Sequence, residues 1–287
     1  MRVVQKKIKF NRGVRDLYYE QFKSYQEYLS ILESRTPHDS DETLEWLGKH
    51  DKSFTGVGSY DEARNLLVGG WEKQIEEFKQ AFKKEVAMCD TKKVVRNFAD
   101  VVGYMPIVPN AILGLPNSMI NIRTEQKKTK IVKFLIGMNR AWHVTPREIM
   151  NVMSKVLAKI CVLEKSGYRC RLEMFGSFTD EHSSKTIACH SILIKSENQL
   201  LDLKRVAFPL VHSAMQRVFG FGWEASVPTE NYRCSGKGVA IQHWSNENRN
   251  ALLNAVNESN ERIIYISSDT DVEKMFGEGG EIYGGKR

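Results

Sequence analysis

Histidine and cysteine are common in catalytic and metal sites, and this sequence has seven histidines and five cysteines. None of them forms an HExxH or CxxC pair, so neither a zinc site nor a disulfide framework is predicted. A nucleophile with a distant histidine stays open, because such triads assemble in space, but no GxSxG turn is present. Cys189 and His190 adjoin in a predicted strand and should point to opposite faces. We therefore do not predict an enzyme.

The loop inside the stretch KIVKFLIGMNRAWHVTPREIM joins a predicted strand to a predicted helix, which is where ligands usually bind in an α/β protein. A hard cation needs several oxygen ligands, usually including a carboxylate, and this loop has no carboxylate. Between Gly137 and Ala141, only Asn139 offers a side-chain oxygen. Thr179 and Asp180 could add oxygens from a later turn, although a polar surface turn explains them as well. We predict no metal and no cofactor.

The start of the helix after this loop could also attract an anion, because its N–H groups and dipole favour negative charge. The loop has no GxGxxG or GxxxxGK pattern, Trp142 would crowd a phosphate, and Thr145 is expected to cap the helix. Arg140, Trp142 and His143 then have two interpretations, which stay open. They form a protein-contact surface, or they close the top of the sheet.

A second group of candidate contact residues lies in FPLVHSAMQRVFGFGWE, which is rich in aromatic side chains. Aromatic residues anchor interfaces and also fill cores. The helical spacing of Leu210, Met215 and Val218 favours the core for the first half. Phe221 and Trp223 follow between glycines and are the better candidates for binding a protein.

Positive charge is clustered in this chain, which has a formal net charge of +7 and a pI near 9.0. Clustered cations indicate an anionic partner, and nucleic acid is the alternative partner to protein. No signal peptide or membrane span is predicted, because the most apolar stretch is short and contains Pro106 and Pro109. We expect a protein of the cytoplasm without a membrane partner. The candidate nucleic-acid-binding residues are Arg2, Lys6, Lys7, Lys9, Lys127, Lys128 and Lys130.

Residues 126–276 alternate between strand and helix patterns, which predicts an α/β domain with a three-layer, mostly parallel sheet and one antiparallel strand. Thr145 and Glu148 have the spacing of a capping box. A hairpin pairing near His182 would place Leu172 and Met174 on the same face as Ile192 and Ile194. The predicted strands are 131–138, 169–177, 186–196 and 262–267, and the predicted helices are 145–166, 201–219, 245–258 and a short one from 271.

Residues 1–125 are predicted to form a helical N-terminal region. Apolar positions from Leu17 to Leu32 recur at steps of three and four, and a second helix should begin at Ser59, in a capping box with Glu62. Prolines and glycines interrupt the apolar segment 101–122, so we expect it to lie over a hydrophobic surface rather than to form a regular helix or a central strand. The glycine-rich tail 277–287 is expected to be flexible.

Three blocks carry a family resemblance: GSYDEARNLLVGGW, VGYMPIVPNAILGLPNSMINI and FPLVHSAMQRVFGF. Together they resemble a family of bacteriophage and prophage proteins of unassigned function. In architecture, residues 130–276 also resemble a von Willebrand factor A domain. That resemblance implies a divalent-metal loop of the form Asp-x-Ser-x-Ser after the first strand, and here Gly137, Asn139 and Ala141 occupy the ligand positions. The implied metal site is degenerate.

These features favour a non-catalytic phage accessory protein that acts by binding another protein, in virion assembly or in host takeover and anti-defence. Its expected location is the host cell cytoplasm or the virion. A nucleic-acid-binding phage protein that uses the basic clusters is the alternative. An enzyme or a metal-dependent adhesion domain is a third hypothesis, which the absence of a carboxylate from the loop disfavours.

Overall fold

The fold is described from a computed structural model. The described residues are 1–35, 50–88, 97–103, 105–122, 131–140, 144–177, 185–227, 241–257, 261–267, 270 and 272–276. Their strands are β1 (Arg2–Phe10), β2 (Gly13–Phe22), β3 (Asn97–Asp100), β4 (Met105–Pro106), β5 (Met119–Ile122), β6 (Ile131–Gly137), β7 (Arg169–Ser177), β8 (Thr186–Lys195) and β9 (Arg262–Ile266). The predicted tail, 277–287, lies outside the described residues.

Helices connect and cover these strands. The α-helices are α1 (Tyr25–Ser34), α2 (Lys52–Thr55), α3 (Tyr60–Gly69), α4 (Glu72–Met88), α5 (Val108–Ile112), α6 (Pro146–Lys165), α7 (Leu203–Val211), α8 (Phe221–Ala225), α9 (Asn246–Val256) and α10 (Val272–Phe276). A π-helix, Met215–Gly220, and a 3₁₀ turn, Ile241–His243, complete the set for the described part of the chain.

Six strands form a mixed sheet in the order β1-β2-β8-β7-β6-β9. β6 is parallel to both of its neighbours, β7 and β9, whereas β8 is antiparallel to β7. β2 is parallel to β8, and β1 is antiparallel to β2. The predicted α/β class is confirmed. The sheet differs from the predicted one, because both β2 and β8 run against the other strands.

The N-terminal helical region was predicted wrongly, because the chain begins with the hairpin β1–β2 and helix α1 starts only at Tyr25. Strand β2 lies between two other strands, and Leu17, Tyr18 and Tyr19 are all buried. A strand that is buried on both faces has a continuous apolar run rather than an alternating pattern. Together with the apolar residues of α1, the run in β2 gives apolar positions that are three and four residues apart, which is the spacing of a helix.

Two hydrophobic cores cover the two faces of the sheet. The larger core includes residues of α1, α3, α4, α6 and α7, and the smaller one includes Leu252 and Val256 of α9. Leu172, Met174 and Ile192 share the larger core, with Ile194 packed against it, so the predicted faces of the hairpin β7–β8 are confirmed.

Local signals at helix ends were predicted correctly. The capping box of Thr145 and Glu148 is present, with Pro146 in the first turn of α6. Ser59 accepts the N–H of Glu62, as expected. The helix that was predicted to begin at Ser59 ends at Gly69, and α4 follows it as a second helix, because Gly70 adopts a φ of 98° between the two.

The segment 101–122 belongs to a separate small sheet with the order β3-β5-β4, from which α5 projects. Seven of its apolar side chains do not lie over a hydrophobic surface as predicted. Those of Val101, Val102, Met105, Val108, Ile112, Leu113 and Leu115 are exposed.

Candidate functional site

The end of β6 is the position at which the sequence indicated a loop without metal ligands. Gly137 is its last residue, and a Cβ there would collide with the hydroxyl oxygen of Tyr265. The side-chain oxygen of Asn139, Oδ1, accepts the backbone N–H of Ser177 at 3.0 Å. The oxygen that could have contributed to a cation site is therefore already hydrogen-bonded to β7.

Arg140 connects the loop after β6 to the end of helix α7 by hydrogen bonds. Its backbone N–H donates to Oε1 of Gln216 at 3.0 Å, and its Nη1 donates to the carbonyl of Val211 at 2.8 Å. Nη2 donates to the carbonyl of Leu210. Burial and, to a smaller extent, the nearby charge of Arg217 together lower the pKa of Arg140 to about 10. A cation at a helix C-terminus is favoured by the dipole, so these contacts stabilise the loop against the end of α7.

Several candidate residues lie outside the described part of the chain. They are Ala141, Trp142, His143, Thr179, Asp180, Lys127, Lys128 and Lys130. The roles proposed for them from the sequence stay predictions.

Trp223 is not on the surface, where a contact residue was expected, because only 1% of it is exposed. Its indole N–H donates to Oε2 of Glu20 at 2.6 Å, and its ring centroid lies 4.2 Å from that of His190. Phe221 is half-buried and packs against the larger core. Glycines on both sides of an aromatic residue suggested a loop, but here the π-helix and α8 turn Trp223 inward.

Glu20 is the centre of a buried polar cluster that sequence reasoning did not find. It is fully buried, and the guanidinium of Arg35 donates to both of its carboxylate oxygens. The hydroxyl of Tyr18 adds a third donor at 2.5 Å, and Trp223 adds the fourth. Such complete pairing is what a buried carboxylate requires, so the cluster is a structural unit of the core.

The buried thiols and imidazoles have altered acidities. Burial raises the pKa of Cys170 to about 12 and that of Cys189 well above its usual value. Burial lowers the pKa of His190 to about 3 and that of His212 to about 4. Neutral thiols and weakly basic imidazoles are poor nucleophiles and poor bases at neutral pH. Cys189 belongs to the smaller core and His190 stacks on Tyr28, on opposite faces as predicted.

Strand β1 forms one edge of the main sheet and carries the N-terminal cations. Arg2, Lys6, Lys7 and Lys9 are exposed on it, whereas Ile8 is buried. Lysines on an edge strand also keep it from pairing with other chains.

Seven of the thirteen large apolar side chains that are exposed in the described part of the chain lie in residues 101–115, in and beside the small sheet. Ile112 and Leu113, where α5 ends, are 80% and 72% exposed. From Val101 to Ile122 the sequence contains no Asp, Glu, Lys, Arg or His. No signal in the sequence indicated this exposure, because an uncharged apolar segment suits a packed position equally well.

The described part of the chain holds neither a metal-binding cluster nor a membrane-spanning helix. No group of three His, Cys, Asp or Glu side chains there is arranged to hold a metal ion. Within the same residues, no helix combines the length and the apolar character that crossing a membrane requires.

Comparison with known proteins gives one match. No curated protein and no solved structure is significantly similar to this chain. A family model described as a domain of unknown function, DUF7192, matches residues 5–276, so this chain belongs to that family.

Proposed function

We propose that this is a non-catalytic binding protein that docks onto another protein through the apolar surface of the small sheet, here called the docking surface (101–115). The exposure of Ile112 and Leu113 in a segment without charged residues carries the proposal. Contiguous exposed apolar side chains mark interaction sites, whereas single ones need no explanation. Burying one such side chain contributes about 1.5–3 kcal/mol. Two of them supply a large part of the roughly 8 kcal/mol of a micromolar complex.

The docking surface is held in shape by its own hydrogen bonds. The N–H of Ile107 donates to the carbonyl of Ser118 at 2.7 Å, and the side-chain amide of Asn110 donates to the carbonyl of Asn117 at 3.1 Å. The N–H of Ala111 donates to Ile107 at 3.0 Å. Because these polar groups are satisfied internally, the backbone that carries the apolar side chains is held in one conformation before a partner arrives. Preorganisation reduces the entropy lost on binding.

The acidities of the buried groups support the non-catalytic part of the proposal. The thiols of Cys170 and Cys189 are held protonated by burial, and His190 and His212 are held neutral. Each of these groups is placed to pack rather than to react.

We further propose a phage role, in virion assembly or in host takeover and anti-defence, with the protein in the host cytoplasm or in the virion. The resemblance of the three sequence blocks to bacteriophage proteins supports this role. A von Willebrand A-like architecture with a degenerate metal loop is part of the same proposal. It is supported by the order β6, α6, β7, β8, by the return of β9 beside β6, and by the engagement of Asn139 with Ser177.

The test is an affinity capture from a lysate of infected cells, quantified by mass spectrometry. The bait is the wild type, the double variant Ile112→Asp/Leu113→Asp, or the control Leu200→Asp. Leu200 is 92% exposed and lies outside the docking surface, so it controls for the loss of an exposed apolar side chain. We expect one partner to be retained by the wild type and by the control and lost from the double variant. Equal capture by all three baits would refute the proposal.

Nucleic-acid binding is the second candidate, and the exposure of four cations along β1 favours it. Replacing Lys6, Lys7 and Lys9 by Gln should lower the slope of log affinity against log salt by about two to three. The matched control replaces three exposed lysines elsewhere, Lys84, Lys165 and Lys204. The measurement is a gel shift of single- and double-stranded DNA and RNA at several salt concentrations. No shift at low salt would eliminate this candidate.

A further inference from the structure

The end of β6 holds more hydrogen-bond donors than acceptors. Asn139 is only 4% exposed, and its Oδ1 is used by Ser177. Its Nδ2 is buried, and it has no hydrogen-bond acceptor within the described part of the chain. An unsatisfied buried donor costs about 1–3 kcal/mol, so a ligand that accepts hydrogen bonds here would be stabilising.

Arg140, the next residue, adds a positive charge that the described residues do not neutralise. Two of its five N–H donors go to the neutral carbonyls of Leu210 and Val211. No Asp or Glu among the described residues forms a salt bridge with it, and Arg217 is the charged group that acts on it. Arg140 is half-buried, and charges that are partly removed from water are normally paired with an opposite charge.

The position of the two residues is that of a ligand site. β6 lies between β7, which follows it in the chain, and β9, which returns on its other side. All three strands are parallel, so their carboxyl ends meet at the same edge of the sheet. In open α/β sheets, ligands bind at this point, where the direction of strand order changes.

Helix capping explains only part of this arrangement. The C-terminus of α7 accounts for two hydrogen bonds of Arg140 and offsets some of its charge. It leaves Nδ2 of Asn139 without an acceptor among the described residues. Glu148 already occupies the N-terminus of α6, where its carboxylate accepts the N–H of Thr145 at 2.8 Å. Helix α6 therefore does not supply a second anion site.

We propose that Asn139 and Arg140 bind an oxyanion, the group shared by phosphate and carboxylate ligands. Nδ2 of Asn139 and the remaining guanidinium N–H groups of Arg140 donate to its oxygens. The proposed anion site does not depend on the docking surface, so an experiment can refute either proposal without refuting the other.

The probes are inorganic phosphate and acetate, each compared with chloride at matched ionic strength and pH, with thermal unfolding as the readout. A phosphate concentration one hundred times its dissociation constant should raise the Tm of the wild type by roughly 5 °C. A response to phosphate alone assigns the site to phosphate groups, and a response to acetate as well assigns it to oxyanions in general. A Tm that chloride, phosphate and acetate change equally would overturn the proposal.

Asn139→Asp provides the discriminating variant, because it keeps the oxygen that accepts the N–H of Ser177 and replaces the donor by a negative oxygen. We expect it to lower the affinity for the anion more than tenfold, because the new carboxylate repels the anion and no longer donates a hydrogen bond to it. Asn151→Asp, at an exposed position of α6, adds the same charge and should respond to anions as the wild type does. An Asn139→Asp variant that keeps the full phosphate response would refute the site.

Discussion

Acid should unfold this protein earlier than its carboxylates alone would, because two buried histidines resist protonation. His190 is fully buried, with its ring stacked on Tyr28 at 5.5 Å and tilted against Trp223. His212 is also buried, and its Nδ1 accepts the N–H of Ala214 at 3.1 Å. Burial lowers the pKa of His190 to about 3 and that of His212 to about 4, from 6.5.

Proton linkage decides whether the free energy of unfolding rises or falls with pH. A histidine with a lowered pKa binds its proton in the unfolded chain at a higher pH than in the folded one. Its contribution to the free energy of unfolding is complete above pH 6.5 and is lost as the pH falls toward the pKa of the folded state. Two such groups give a slope of about 2.7 kcal/mol per pH unit between roughly pH 6 and pH 4. The total loss is on the order of 8 kcal/mol, which is comparable to the stability of a typical domain.

The assay is urea denaturation at a series of pH values between 7.5 and 4.5. His190→Gln removes one titrating group, so we expect its stability to fall about half as steeply with pH as that of the wild type, even though its stability at pH 7.5 is lower. His243→Gln is the control, because His243 is exposed and should leave the slope unchanged. An unchanged slope in His190→Gln would show that His190 is not a buried neutral base.

Other substitutions test the contacts that hold the fold. Arg35→Met leaves the carboxylate of Glu20 buried without its cation, so we expect urea denaturation to show a free energy of unfolding lower by about 3–5 kcal/mol. Arg64→Met is the control, because Arg64 forms an exposed pair with Glu33 and its loss should be less than about 1 kcal/mol. Equal losses would contradict the central role of Glu20. Gly137→Ala should lower the free energy of unfolding by about 1–3 kcal/mol, because its Cβ collides with Tyr265. In the double variant Gly137→Ala/Tyr265→Ala the truncated side chain no longer collides, so its loss should be smaller than the sum of the two single losses. Strictly additive losses would show that the collision does not occur.

Elements with strong local signals were predictable from the sequence. The buried strand β6, the capping box that opens α6 and the faces of the hairpin β7–β8 all follow from spacing within a few residues. The sequence of the loop after β6 has few oxygen ligands, and the structure adds that Oδ1 of Asn139 accepts the N–H of Ser177.

Features that depend on distant partners were not predictable. β2 is a strand because it pairs with β8, far along the chain. Because both of its faces are buried, its sequence lacks the alternation of apolar and polar residues that indicates a strand. Trp223 is a core residue because Glu20 accepts its N–H, a contact between positions far apart in sequence. The exposure of Ile112 could not be deduced from its apolar character, because the same composition suits a segment packed on a core.

The central claim is that the docking surface contacts a partner protein. Amide hydrogen exchange of the protein, alone and in complex with the captured partner, tests this claim most directly. The account predicts slower exchange at Ala111, Ile112 and Leu113 in the complex, with no change along β1. Slower exchange along β1 or at the end of β6, with none at these three amides, would contradict it.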